Sequence, residues 1–189
     1  MLPLPVVLEP NGYWAGIDGN WSTWSVWAGT PPQQFQVWPS TSSGEVWLPL
    51  PDGCPPTEFW STVECAASRG VGSSEDSGSA GFQKNVSGTW EEIGIYELLT
   101  GNDLFQGNQT ALYGLDEVSL GKEETYLSDQ LVAGIATPEF WLGSLGLTQS
   151  SSAFDVRSEG VPSLLETMKA QNLTPSASFG LAVGAHHGQ

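Results

Sequence analysis

Residues 40–43 read Ser-Thr-Ser-Ser, a run of hydroxyls any of which could attack a carbonyl if a base stood beside it. The chain has two histidines, His186 and His187, and both lie at its far end, where they read as an exposed tail. Paired carboxylates could cleave a glycosidic bond. The pairs Glu91-Glu92 and Glu123-Glu124 sit in polar surroundings and read as solvated turns. Cys54 and Cys65 are separated by ten residues. That spacing excludes a CxxC redox motif, and no histidine pair lies close enough to complete a zinc site. One local disulfide is the expectation, with no metal and no cofactor. Four Asn-x-Ser/Thr sequons, at Asn20, Asn85, Asn108 and Asn172, point to glycosylation along a secretory route.

Composition narrows the classes. A length of 189 residues fits one domain with a sizeable core, and 39% hydrophobic residues fit a globular chain. Twenty-three Gly and 13 Pro among many Ser and Thr point to short strands and turns. The nine Trp serve mainly strand and core packing, and those left at the surface can hold sugar rings or protein partners. The net charge is −16, with five Lys plus Arg against 21 Asp plus Glu. Such a surface repels phosphate backbones and anionic lipid, which excludes nucleic-acid binding. No segment approaches the roughly 20 apolar residues that cross a bilayer. The first residues lack the basic flank of a signal peptide. The expectation is a piece of a longer secreted or surface-anchored precursor.

The elements follow from pattern. Pro3 to Leu8 predicts an edge strand, and Trp21 to Ala28, Gln34 to Trp38 and Val46 to Leu50 predict three more. Pro51 to Ser79 reads as a long connection holding both cysteines. Thr89 to Leu99 and Gln109 to Leu120 read as the arms of a hairpin, and Ser128 to Ala136 as a β-rich run. Glu139 to Leu147 is apolar with two glycines, which suits a buried strand lying close against another backbone. Pro162 to Gln171 predicts the best helix, ended by Asn172. Ser176 to Ala185 predicts a last strand.

Several motifs occur in a recognisable order: Ala28-Gly29-Thr30-Pro31-Pro32-Gln33, then Ser40-Thr41, then Trp47-Leu48-Pro49-Leu50-Pro51-Asp52-Gly53-Cys54, then Tyr113-Gly114-Leu115-Asp116-Glu117-Val118, then Leu142-Gly143-Ser144-Leu145-Gly146-Leu147. Each is short, but the series resembles the N-terminal lobe of fungal pepsin-like aspartic proteases over nearly the whole chain. The resemblance implies an all-β, pepsin-like lobe, a closed or partly open barrel with one or two short helices, and no C-terminal lobe within these residues. It puts Ser40 where the family has its catalytic Asp, and Thr41 and Ser42 in a degenerate loop. It puts Leu104 or Phe105 where the family's flap carries a Tyr, and makes Asp116 structural, beside the hairpin.

Pepsin-type catalysis shares one proton between two carboxylates, one acting as base on water and the other as acid. A serine hydroxyl cannot be that base, and no second Asp-Thr-Gly loop occurs in the chain. The expected function is therefore a catalytically inactive, secreted or cell-surface binding module that takes a peptide or glycan in the old cleft. Two alternatives are an endopeptidase subunit that needs a separate C-terminal lobe, and an inhibitor of glycan hydrolases or a surface sensor. In the family, strands near both ends of such a lobe join a shared sheet. Pro3 to Leu8 and Ser176 to Ala185 are accordingly expected to meet a C-terminal lobe or a second copy.

Overall fold

A computed structural model describes residues 3–12, 14–15, 21–72, 80–98, 110–121, 125–137, 140–152 and 160–182. Asn20, Leu104, Phe105, Asn108, Glu123-Glu124 and His186-His187 lie outside them. The described strands are β1 (Trp14–Ala15), β2 (Trp21–Ser22), β3 (Trp24–Ala28), β4 (Gln33–Ser40), β5 (Val46–Pro49), β6 (Glu91–Glu97), β7 (Thr110–Leu120), β8 (Thr125–Ile135) and β9 (Gly143–Gly146). The helices are α1 (Thr62–Ser68) and α2 (Leu164–Ala170), with a 3-10 turn at Pro51–Gly53. β1 and β2 pair as a small ribbon.

Six strands close into a barrel in the order β3-β4-β9-β5-β8-β7, and β7 pairs back onto β3. The eleven-residue β7 makes closure possible by serving three neighbours. Its first half pairs with β6, its last residues pair with β3, and β8 runs along its other side. Alternation sorts the side chains between two cores. Val26, Phe35, Val37, Val46, Leu48, Val118 and Leu127 share one buried cluster with Leu164, Leu165 and Met168 of α2. Trp47, Ala111, Tyr113, Leu131, Ala133 and Ile135 share a second.

β8 changes sides partway. Leu127 belongs to the first cluster, Leu131 to the second, although both are odd-numbered. The register explains it: Asp116 faces Gln130 while Val118 faces Leu127, so β8 carries one extra residue there. Asp129 absorbs the bulge in the left-handed region, at φ 53°.

The glycine-containing run predicted to lie against another backbone does so. β9 runs parallel to β4 and antiparallel to β5. A Cβ on Gly143 would stand 2.4 Å from the carbonyl oxygen of Trp47, and one on Gly146 would stand 2.5 Å from that of Glu45. Neither position has room for a side chain.

Both helices are seven residues long, too short to persist alone, and both are defined at each end by local signals. Ser61 with Glu64 and Ser163 with Glu166 form capping boxes. The backbone hydrogen bonds these side chains accept hold both glutamates below the usual carboxylate range. Gly70 at φ 78° and Asn172 at φ 56° end them, with Val71 N–H donating to Ala66 O and Leu173 N–H to Met168 O. Asn172 thus stops α2 as expected. α1 interrupts the connection predicted from Pro51 to Ser79, and Ser61-Thr62-Val63-Glu64 carries the signature of its start.

The two end segments depart from expectation. Residues 3–10 and 176–182 are not strands. Pro3, Pro5 and Pro10 remove donors that a ladder would need. Val6 and Leu8 still pack on the first core, and Leu8 O accepts the Trp24 indole N–H at 3.2 Å. The disulfide forms as predicted: Cys54 and Cys65 are bridged with Cα atoms 5.6 Å apart, tying the 3-10 turn to α1.

Gly146→Ala should cost about 2–3 kcal/mol or more, because the new methyl meets backbone rather than a flexible side chain. Gly180→Ala, with nothing within 4 Å of its Cβ position and no left-handed backbone, meets no such clash and serves as the comparison. Urea unfolding of both variants checks this, and equal midpoints would contradict the packing described.

Candidate functional site

The hydroxyl run lies where β4 leaves the barrel. The backbone of residues 40–45 is fixed from two sides. Leu147 N–H donates to Ser40 O at 2.8 Å, Thr148 N–H to Ser43 O at 3.0 Å and Gly146 N–H to Glu45 O at 3.0 Å. From the start of α2, Leu164 N–H donates to Gly44 O at 2.8 Å. β9 and α2 therefore set the loop's shape.

Ser40 is half-buried, and Thr41 and Ser42 are exposed. The Ser40 and Ser42 hydroxyls are 2.9 Å apart, and Ser42 N–H donates to Ser40 Oγ at 3.3 Å. Neither contact activates a nucleophile, because a second serine is no stronger a base than the first. The loop's single carboxylate, Glu45, faces inward and is 1% exposed. Its oxygens accept from Trp47 Nε1–H at 3.0 Å, Gly44 N–H at 3.1 Å and Ser152 Oγ at 3.3 Å. Glu45 is a structural clasp joining the loop, β5 and residue 152. Sequence reasoning missed it, since a lone glutamate before an apolar strand has no motif.

A second buried charge braces the opposite side. Arg69, 1% exposed, donates to the carbonyl oxygens of Thr137, Phe140 and Trp141 at 3.1, 2.9 and 3.1 Å. Burial lowers its pKa. Trp141 Nε1–H donates to Ser68 O at 2.9 Å, so α1 and the segment entering β9 hold each other.

Asp116 holds a polar knot, in line with a structural role. Its Oδ1 accepts from Ser87 Oγ at 3.0 Å, Thr89 Oγ1 at 2.5 Å and Glu117 N–H at 2.8 Å. Thr30 joins through its N–H to Ser87 Oγ at 3.1 Å and its hydroxyl to Glu117 Oε2 at 2.7 Å. The knot pins the base of the β6–β7 hairpin to the Gly29-Thr30 turn. The hairpin arms flank residues 99–109, which lie outside the described residues along with Leu104, Phe105 and Asn108. Asn85 and Asn172 are both exposed, as glycan acceptors need to be. Among the described residues no cluster of metal-ligating side chains occurs, and no helix is long and apolar enough to cross a membrane.

No protein-family model matches the chain, and no curated protein matches its sequence at a significant level.

Glu45→Ala should destabilise by about 2–4 kcal/mol, because it strands the buried Trp47 and Gly44 N–H donors. Ser40→Ala should change stability by less than about 1 kcal/mol. Thermal unfolding of both variants, with near-ultraviolet circular dichroism on Trp47, checks the contrast. An unaffected Glu45→Ala would show that the clasp is dispensable.

Proposed function

We propose that the chain is a catalytically inactive pepsin-like lobe, secreted or displayed at a cell surface, that binds a peptide or glycan over residues 40–43, where the resemblance places the family's cleft. The observation that carries this reading is the chemistry of the loop. A serine stands at the end of β4 where the resemblance calls for an acid, its hydroxyl meets another serine, and the nearby carboxylate is turned into the core. The lobe assignment is supported by the order of the elements. The strand ending in Ser40 lies parallel to the Gly143–Gly146 strand, and the antiparallel β6–β7 hairpin joins the same sheet through β3 and β8.

A partner contact at the chain's ends is part of the proposal. Residues 5–10 and 174–182 border an apolar cavity of about 730 Å³ floored by Leu145, Leu164 and Met168. Leu4, Val7, Phe179 and Leu181 are exposed around it. A second lobe docking there would cover this surface. Two copies each carrying −16 would repel, which favours a lobe of different charge over a second copy.

The purified protein should not cleave haemoglobin or casein between about pH 2.5 and 5. Ser40→Asp alone should leave these 189 residues inactive, because they hold no second Asp-Thr-Gly loop whose carboxylate could share the proton. Peptide release measured by mass spectrometry decides this. Pepstatin-sensitive cleavage by the natural sequence would refute the reading.

A further inference from the structure

Outside the loop, the outer wall of the barrel carries a row of residues in direct register across three strands. Trp27 of β3 faces Ser119 of β7, and Ser119 faces Tyr126 of β8. Their neighbours Val26, Ala28, Val118, Leu120 and Leu127 point into the core, so the row points outward. Two aromatic rings therefore stand two strand spacings apart, about 9–10 Å at the backbone, with a small residue between them. The result is a slot of about 230 Å³ walled by Trp27 and Tyr126, floored by Ser119 and closed at one end by Thr30, Pro32 and Glu117. Tyr126 is 53% exposed, although nothing in a β8 ladder position requires a large aromatic outside.

Glu117 gives the slot its sign. One of its oxygens, Oε2, is fixed by the Thr30 hydroxyl at 2.7 Å. The other, Oε1, accepts no hydrogen bond from the described residues. The described cations are all elsewhere: Arg69 is buried against residues 137–141, Lys84 pairs with Glu92, and Lys169 is on α2. Lys122 and Arg157 lie outside the described residues. Two aromatic side chains and a positioned carboxylate line a site suited to a cation, and the charge of −16 steers cations toward the surface.

We infer that this slot binds an arginine side chain of a partner polypeptide. A guanidinium is flat, so it can lie between two ring walls while its N–H edge meets a carboxylate. An ammonium has no flat face to place there. The site stands apart from residues 40–43 and does not depend on the pepsin-like reading.

The test is a two-dimensional amide and indole NMR titration of the intact chain with acetylated, amidated Gly-Arg-Gly. The same peptide carrying citrulline or lysine in place of arginine, and a neutral cello-oligosaccharide, complete the series. Citrulline keeps the planar shape and loses the charge. Arginine should give saturable shifts centred on the Trp27 indole, Ser119 and Tyr126. Citrulline should bind at least tenfold more weakly and lysine several-fold more weakly. Glu117→Gln and Tyr126→Ala should each weaken arginine binding at least fivefold, and an unchanged melting temperature in either variant shows that the barrel is intact. Tyr126→Phe keeps the ring wall and should bind as the parent does, so it covers a Tyr126→Ala variant that fails to fold. Citrulline binding as well as arginine, the oligosaccharide shifting the slot in place of arginine, or full arginine binding by a stably folded Glu117→Gln would each overturn the assignment.

Discussion

The fit of a strand without side chains at two positions between two neighbouring backbones governs the rest of this molecule. β9 lies against β4 on one side and β5 on the other, and Gly143 and Gly146 let all three approach closely. From that contact the backbone continues into Leu147 and Thr148, whose N–H groups set the path of residues 40–43. β9 also fixes where β5 leaves the loop, and so aims Trp47 away from Val46 and Leu48. The two cores on either side of β5 follow from that alternation. A methyl group at Gly146 would thus be felt at the hydroxyl loop as well as in overall stability.

Buried charge is used sparingly and locally. Arg69 and Glu45 are both nearly inaccessible, yet neither pairs with an opposite charge among the described residues. Each is satisfied by neutral groups: three carbonyl oxygens for the guanidinium, two N–H groups and a hydroxyl for the carboxylate. Partners that are held rigidly by strands and helices offset part of the desolvation cost of each ion. The effect in both cases is to join segments far apart in sequence. Glu45 reaches Ser152, and Arg69 reaches residues 137–141 from the end of α1. The disulfide acts close by, between the 3-10 turn and α1.

Where local physics determined structure, the sequence was legible. The strands around Ser40, the hairpin arms, the glycine-bearing strand and the helix ended by Asn172 all carry short-range patterns. The hairpin arms and β8 were placed to within a few residues of β6 (Glu91–Glu97), β7 (Thr110–Leu120) and β8 (Thr125–Ile135). The disulfide could be inferred because two cysteines with no other chemistry had one partner each. Errors fell where pairing decides. Residues 3–8 and 176–182 have strand-like composition, but a strand exists only if a neighbour supplies the ladder, and no described residue does. The row Trp27, Ser119, Tyr126 was invisible for a related reason, since its members meet only through the registers of β3, β7 and β8. Glu45 was overlooked because nothing short of the folded contacts separates a buried clasp from a surface carboxylate.

On the proposed reading, the barrel keeps the frame of a catalytic lobe without the acid that would use it. The claim rests on Ser40 being unable to take part in a carboxylate dyad, and an inhibitor that requires the dyad tests it without any need to know the natural ligand. Isothermal titration of the protein with pepstatin at about pH 4, where a shared proton would be present, is the direct measurement. No heat of binding is expected at micromolar protein. Stoichiometric binding would contradict it and would mean that a working pair of acids is assembled around this loop.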